Sequence, residues 1–137
     1  MAPKSKSEKL KRLLSVQRHI ERMAENDLAA TSRQRNEVSQ SMDTVMDAIG
    51  SLDPVHRLFA QNYADRFNRL SAADKQLAGL QQVQENKVLR EGAKADRLEE
   101  NMKDAREQEQ RERDDDAIYD IVDMRFSTPA SSKLQEP

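Results

Sequence analysis

The sequence has 137 residues, of which 35% are charged, 36% hydrophobic and 4% aromatic, with no Trp and no Cys. This composition excludes a bulky globular core and a disulfide framework, whereas a chain rich in Ala, Glu, Lys, Leu and Arg with little Gly or Pro is typical of a coiled coil. A formal net charge of −2 gives no reason to expect nucleic acid as the main partner.

The beginning of the sequence gives no targeting signal. Residues 1–6 lack the apolar core of a signal peptide, and no apolar run approaches the ~20 residues of a membrane span. We therefore expect a cytoplasmic protein, with residues 1–4 disordered and no direct insertion into a membrane.

A first helix is predicted over residues 5–49. Ser5 and Ser7 are both candidate N-caps, and Glu8 completes a capping-box pattern with Ser5. Core positions then recur in steps of three and four, with one stutter where two steps of four meet. These positions are Leu10, Leu13, Gln17, Ile20, Ala24, Leu28, Thr31, Arg35, Val38, Met42, Val45 and Ile49.

Three of these core positions are polar: Gln17, Thr31 and Arg35. Polar groups within a seam weaken it but help to fix its register. For Arg35 the sequence favours the simpler interpretation, in which its long side chain extends past its neighbours to water.

Residues 50–53 are the predicted turn. Gly50 is expected to end the first helix in the left-handed conformation, which the missing Cβ allows. Asp53 suits the N-cap of a new helix and Pro54 its first position. Because a short link makes two long helices antiparallel neighbours, the predicted fold class is all-α, a long antiparallel two-helix coiled-coil hairpin with unequal arms over residues 5–126.

A second helix is predicted over residues 54–126. Phe59, Tyr63 and Phe67 place large side chains beside the turn, where we expect the most stable packing. The predicted core positions are Val55, Phe59, Tyr63, Phe67 or Arg66, Leu70, Ala73, Leu77, Leu80, Gln84, Val88, Ala95, Leu98, Met102 and Ala105.

The two helices are unequal in length, so part of the second should extend past the first. If Ile49 faces Val55, Leu10 meets the neighbourhood of Ala95, and everything after about Leu98 overhangs. The overhang is densely charged and mostly acidic up to residue 116.

An apolar group follows the acidic run. Residues 127–137, after it, are predicted to be a disordered tail. Ile118, Ile121 and Val122 share one helical face. Two interpretations stay open: a docking motif, or a helix end that folds back onto Leu10 to Leu14. The predicted partner-binding residues are Leu10, Leu13, Leu14, Ile118, Ile121 and Val122.

No pattern in the sequence indicates catalysis. His19 and His56 each stand alone, without the Glu-x-x-His spacing of a di-iron bundle. The glycines, at positions 50, 79 and 92, do not form a phosphate-binding loop. We therefore predict a protein that is not an enzyme, with no catalytic residue, no metal and no cofactor.

The stretch of residues 9–29 resembles the start of the FliJ/YscO-type stalk proteins of flagellar and type III secretion export. It has the Leu-x-x-Leu-Leu opening of that family at Leu10, Leu13 and Leu14, a charged run, and an Ala-x-x-x-Leu step from Ala24 to Leu28. The resemblance implies a small cytoplasmic hairpin whose two termini enter the hole of a hexameric export ATPase. It also implies contacts with the export gate or with substrate chaperones.

Two other functions fit the same pattern. One is a generic coiled-coil scaffold or tether that dimerises through its open end, and the other is a secretion chaperone. Stoichiometry separates the three: one rod for each six ATPase subunits in the stalk, two rods together in the tether, and one rod for each substrate molecule in the chaperone. We expect a monomeric hairpin or weak self-association.

Overall fold

The protein is entirely α-helical in the regular structure of its described residues. A computed structural model describes residues 4–133, and the side chains of residues 4–127. It contains helices α1 (Lys6–Ile49), α2 (Pro54–Leu58) and α3 (Ala60–Lys133), and no strand within the described range. The predicted all-α class is confirmed.

The chain divides into two compact units. Among the described residues, the terminal unit comprises those up to Ser15 together with those from Asp96 onward, and the central unit comprises Val16–Ala95. Each unit therefore contains part of α1 and part of α3.

Helix α1 begins with a serine cap. The Ser5 hydroxyl accepts a hydrogen bond from the Glu8 N–H at 3.3 Å, and the Lys9 N–H donates to the Ser5 carbonyl at 3.1 Å. Such a bond satisfies one of the free N–H groups at a helix start. Ser5 is thus the cap that the sequence predicted, whereas Ser7 is buried and serves another purpose.

The end of α1 differs from the prediction in conformation but not in position. The Gly50 N–H donates to Met46 at 3.0 Å and the Ser51 N–H to Ala48 at 3.3 Å, which closes the last turn without a left-handed residue. No described glycine has a positive φ, so the expectation of a left-handed Gly50 was wrong.

The start of the second helical stretch follows the sequence prediction. Asp53 is the N-cap of α2, with its backbone extended (φ −63°, ψ 128°) and its carboxylate accepting from the Val55 N–H at 3.0 Å. Pro54 occupies the first helical position, where no N–H is required.

The predicted single helix over 54–126 is interrupted at Phe59. Its backbone (φ −107°, ψ 12°) leaves the helical region, while its N–H still donates to His56. Helix α3 then begins at Ala60. Because α2 buries no residue, nothing ties its axis to that of α3 through a core.

Helix α3 ends later than the sequence predicted. It continues to Lys133, so residues 127–133 of the predicted disordered tail are helical. The Ser127 hydroxyl supports this stretch by donating to the Asp123 carbonyl at 3.0 Å. The rest of that tail, and residues 1–3 of the predicted disordered start, lie outside the described residues.

The central unit pairs α1 with α3 in opposite directions. The Gln17 amide donates to the Glu91 carbonyl at 3.1 Å and to the Glu91 carboxylate. Further along, the Arg35 guanidinium donates to Asp74 at 3.1 Å and to Gln81 at 3.0 Å. The partner numbers fall on α3 as they rise on α1, and Arg35 bridges the two helices instead of extending past its neighbours.

The seam positions of α1 form an unbroken heptad, without the predicted stutter. Leu13 and Ile20, predicted to face inward, are exposed, and Leu14 and Glu21 take their places. Ile49 is exposed as well. The buried or half-buried positions are Ser7, Leu10, Leu14, Gln17, Glu21, Ala24, Leu28, Thr31, Arg35, Val38, Met42 and Val45.

The buried positions of α3 also differ from the predicted ones. Phe59 is 46% exposed and Met102 only 8%, so the predicted concentration of packing beside the turn was wrong. Leu80 and Val55 also face solvent. The buried or half-buried heptad is Tyr63, Phe67, Leu70, Asp74, Leu77, Gln81, Gln84, Val88, Glu91, Ala95, Leu98, Met102, Ala105 and Glu109.

Candidate functional site

In the terminal unit, the Glu109 carboxylate joins α3 to α1, and every described side chain of α3 beyond it is exposed. The Glu109 carboxylate accepts from the Ser7 N–H at 3.0 Å and from the Ser7 hydroxyl at 2.6 Å. Ser7 is the second residue of α1, so Glu109 caps this helix from the neighbouring one. The overhang of α3 therefore begins after Glu109, not after Leu98 as predicted.

The contact with Ser7 changes the titration of Glu109. Hydrogen bonds from the Ser7 hydroxyl and N–H stabilise the charged carboxylate and hold the pKa of Glu109 below its ordinary value. Bonds from Gln17 and then Lys94 likewise lower the pKa of Glu91 in the central unit. Both carboxylates, which join the two helices, therefore stay ionised to a lower pH than an ordinary glutamate does.

The predicted partner-binding residues of α1 differ in how accessible they are. Leu10 and Leu14 are half-buried seam residues, whereas Leu13 is exposed. Leu13 is therefore the member of this group whose side chain is most available to a partner.

The predicted partner-binding residues of α3 all face solvent. Ile118, Ile121 and Val122 are exposed, although Met102 and Ala105 earlier on the same helix are buried. The change from buried to exposed apolar side chains coincides with the end of the contacts to α1.

The terminal unit does not bring the two predicted groups together. Ile118 follows Glu109 by two and a half helical turns, about 13 Å along the axis. Leu10, by contrast, follows Ser7 on the antiparallel helix α1, so it lies on the other side of the Ser7–Glu109 contact from Ile118. At ~100° per residue, Ile118 also points to the side of α3 opposite to Glu109. This geometry disfavours the alternative in which the end of α3 folds back onto Leu10 to Leu14.

The exposed end of α3 is amphipathic. Ile118, Val122 and Phe126 are four residues apart and form a ridge, which we call the apolar ridge. Exposed acidic side chains lie beside this ridge: Asp115 is in line with its N-terminal end, and Asp116 and Asp123 border one flank. Such a helix can bury its ridge in an apolar groove while its carboxylates meet basic groups.

Two surface grooves lie along the central unit. One, of about 380 Å³, is lined by Arg35, Met42, Asp74 and Gln81 among others. The other, of about 290 Å³, contains His56, whose Nδ1 lies 2.9 Å from the Tyr63 hydroxyl. That hydrogen bond connects α2 to the first turn of α3.

His56 does not belong to a group of side chains suited to binding a metal ion among the described residues. No cluster of three or more His, Cys, Asp or Glu residues suited to a metal ion occurs within residues 4–127, where side chains are described. No helix among the described residues has a stretch long and apolar enough to cross a membrane.

Sequence reasoning missed the Ser7–Glu109 contact because both residues are polar. The available signal was the spacing of Ser7, Leu10, Leu14 and Gln17, which continues the heptad without a stutter. Comparison of the chain with protein-family models, curated proteins and solved structures finds no match.

Proposed function

We propose that this chain is a non-enzymatic, cytoplasmic coiled-coil stalk, an accessory subunit of a flagellar-type protein export ATPase. In this proposal α1 and α3 form a long antiparallel hairpin with α3 as the longer arm. The observation that carries it is the end of α3, where apolar side chains stay exposed beyond the last contact with α1.

Exposed apolar side chains on a charged helix indicate a partner. Each buried aliphatic side chain is worth up to ~1.5–3 kcal/mol, and water surrounds Ile118, Ile121 and Val122 in the isolated chain. A ring that encloses this end of α3 buries them, while the neighbouring aspartates orient the approach. The export gate and substrate chaperones are further partners that the family resemblance implies.

The test is stimulation of ATP hydrolysis by a purified hexameric export ATPase from the same organism. The variant Ile118→Ser/Ile121→Ser should lose binding and stimulation while keeping its helix content by circular dichroism, because neither side chain is part of the seam. The control Val83→Ser/Leu89→Ser changes two apolar residues of α3 that are exposed elsewhere, and should stimulate normally.

A second variant tests the boundary of the contact. A chain that ends at Asp116 retains the Ser7–Glu109 contact and should stay helical, yet should no longer stimulate the ring. Full stimulation by either altered chain would reject the assignment of this surface to the ATPase. A stoichiometry of one chain for each substrate molecule would instead identify a secretion chaperone.

A further inference from the structure

A second apolar row lies on α1, on the side that the seam does not use. Val16, Ile20 and Met23 are all exposed and follow one another at steps of four and three. This is the spacing of a coiled-coil stripe, so the three side chains share one face of the helix. The seam of the central unit leaves this face uncovered.

A basic row on α3 borders the same side of the central unit. Lys87, Arg90 and Lys94 are exposed and have the matching steps of three and four. Lys94 makes an ion pair with Glu91 at 3.2 Å and still keeps most of its side chain in water. The row therefore presents three positive charges to solvent.

The geometry of an antiparallel pair puts the two rows together. Two antiparallel helices are related by an approximate twofold axis perpendicular to both, so equivalent heptad positions lie on the same side. Ile20 immediately precedes the seam residue Glu21, as Lys87 precedes the seam residue Val88. The result is an apolar row with a basic border, which we call the basic–apolar face.

We infer that the basic–apolar face of one molecule binds the apolar ridge of a second copy of this chain. The ridge, formed by Ile118, Val122 and Phe126, is an apolar row with an acidic border on one flank. The basic–apolar face is an apolar row with a basic border on one flank. Apolar side chains then pack against apolar side chains, and Asp115, Asp116 and Asp123 meet the lysines and the arginine.

The occupant is a second copy because the two surfaces are complementary in charge and every copy carries both of them. The basic row and the ridge both belong to α3. Two copies can exchange ridges reciprocally, which gives a closed dimer with two identical contacts. A closed arrangement leaves neither face open to a third molecule.

This inference does not depend on the proposed function. Ile118 and Val122 serve both contacts, so the dimer and an ATPase ring would compete for them. Ile121 is assigned only to the ring, and Lys87 and Arg90 only to the dimer, so the two proposals fail independently.

The test is sedimentation equilibrium of the full chain over a range of concentrations, at low and at high salt. We expect a reversible dimer that weakens at high salt, because exposed charges are screened over ~3 Å at 1 M ionic strength. Lys87→Glu/Arg90→Glu should raise the dimer Kd by about tenfold or more, as expected for like charges placed across an interface. The control Arg33→Glu/Lys75→Glu makes the same change of net charge at exposed positions off the face and should not.

Charge exchange decides which surfaces meet. A chain carrying Asp115→Lys/Asp116→Lys should not dimerise well alone, but should associate with the Lys87→Glu/Arg90→Glu chain. As a covalent check, the chain has no native cysteine, so Ile20→Cys in one copy and Ile118→Cys in the other should form a disulfide. Leu89→Cys paired with Ile118→Cys should not.

Three results would overturn the inference. These are a monomer at every concentration, a dimer that both charge-reversed chains leave unchanged, or a failure of the two reversed chains to associate with each other. All substitutions are at exposed positions, so circular dichroism should show unchanged helix content.

Discussion

Ser7 and Glu109 are joined by two hydrogen bonds, and this pair marks where the contacts between α1 and α3 end in the terminal unit. The Glu109 carboxylate accepts from both the N–H and the hydroxyl of Ser7. The contact extends the seam past Leu98 to Glu109. Met102 and Ala105 are therefore buried, and the exposed end of α3 begins later than the hydrophobic pattern suggests.

The burial of Met102 reverses the expected order of two core substitutions. Met102→Ala should lower the unfolding free energy by about 1–2 kcal/mol, below the 2–5 kcal/mol of a full globular core, because a two-helix seam encloses each side chain less completely. Phe59→Ala should cost less, since Phe59 is half exposed and lies at the break between α2 and α3.

Thermal unfolding followed by circular dichroism compares Met102→Ala with Phe59→Ala directly. If Phe59→Ala lowered the stability more than Met102→Ala, packing beside the turn would contribute more than packing at Met102. Leu58→Ala, at a highly exposed position in α2, serves as the control with little expected change.

Two glycines within α3 should respond differently to alanine. At Gly79 an added Cβ meets nothing within 4 Å, so Gly79→Ala should stabilise the helix by about 1 kcal/mol. At Gly92 the same Cβ lies 3.2 Å from a carboxylate oxygen of Glu21, which is held by Arg18. Gly92→Ala should therefore raise the unfolding free energy less than Gly79→Ala, or not at all. Denaturant unfolding measures both changes, and equal increases would show that Glu21 moves freely.

Two glutamines of the α3 seam form a matched pair. The Gln84 Oε1 atom is buried without a hydrogen-bond partner, so Gln84→Leu should raise the unfolding free energy by about 1 kcal/mol. Gln81 accepts from Arg35 at 3.0 Å, so Gln81→Leu should lower it by about as much. Denaturant unfolding of both variants checks the signs, and a loss in both would mean that Gln84 has a partner in solution.

The contact of Ser7 with Glu109 should make folding sensitive to acid. Because the folded state lowers the pKa of Glu109, its contribution is present above the ordinary glutamate pKa and is lost as pH falls through the lowered value. Ser7→Ala removes the strongest cause and should move the pKa of Glu109 back up, which carboxyl-detected NMR titration measures.

The N–H of residue 7 still donates in Ser7→Ala, so the recovery of the Glu109 pKa should be partial. The difference in stability between Ser7→Ala and the parent chain should also narrow as pH is lowered. Ser15→Ala, on the exposed face of α1, is the control and should leave Glu109 unchanged. An unchanged titration in Ser7→Ala would remove the hydroxyl as the cause.

The sequence alone determined where the long helices start and where the first one ends, but not the break at Phe59. Heptad spacing predicted the long helices, Ser5 and Asp53 predicted the helix starts, and Gly50 predicted the end of α1, because each signal acts through neighbouring residues. The exposed Ile118, Ile121 and Val122 could be singled out for the same reason, since their helical face is read from spacing.

The register of the seam was decided only by the tertiary structure. Two stripes compete on α1: one through Leu13 and Ile20 is the more apolar, yet the other, through Leu14 and Glu21, faces α3. A single sequence cannot show that polar side chains such as Gln17 and Arg35 find partners on the other helix. Those cross-helix hydrogen bonds offset the cost of placing polar groups in the seam, and so they determine which side chains remain exposed.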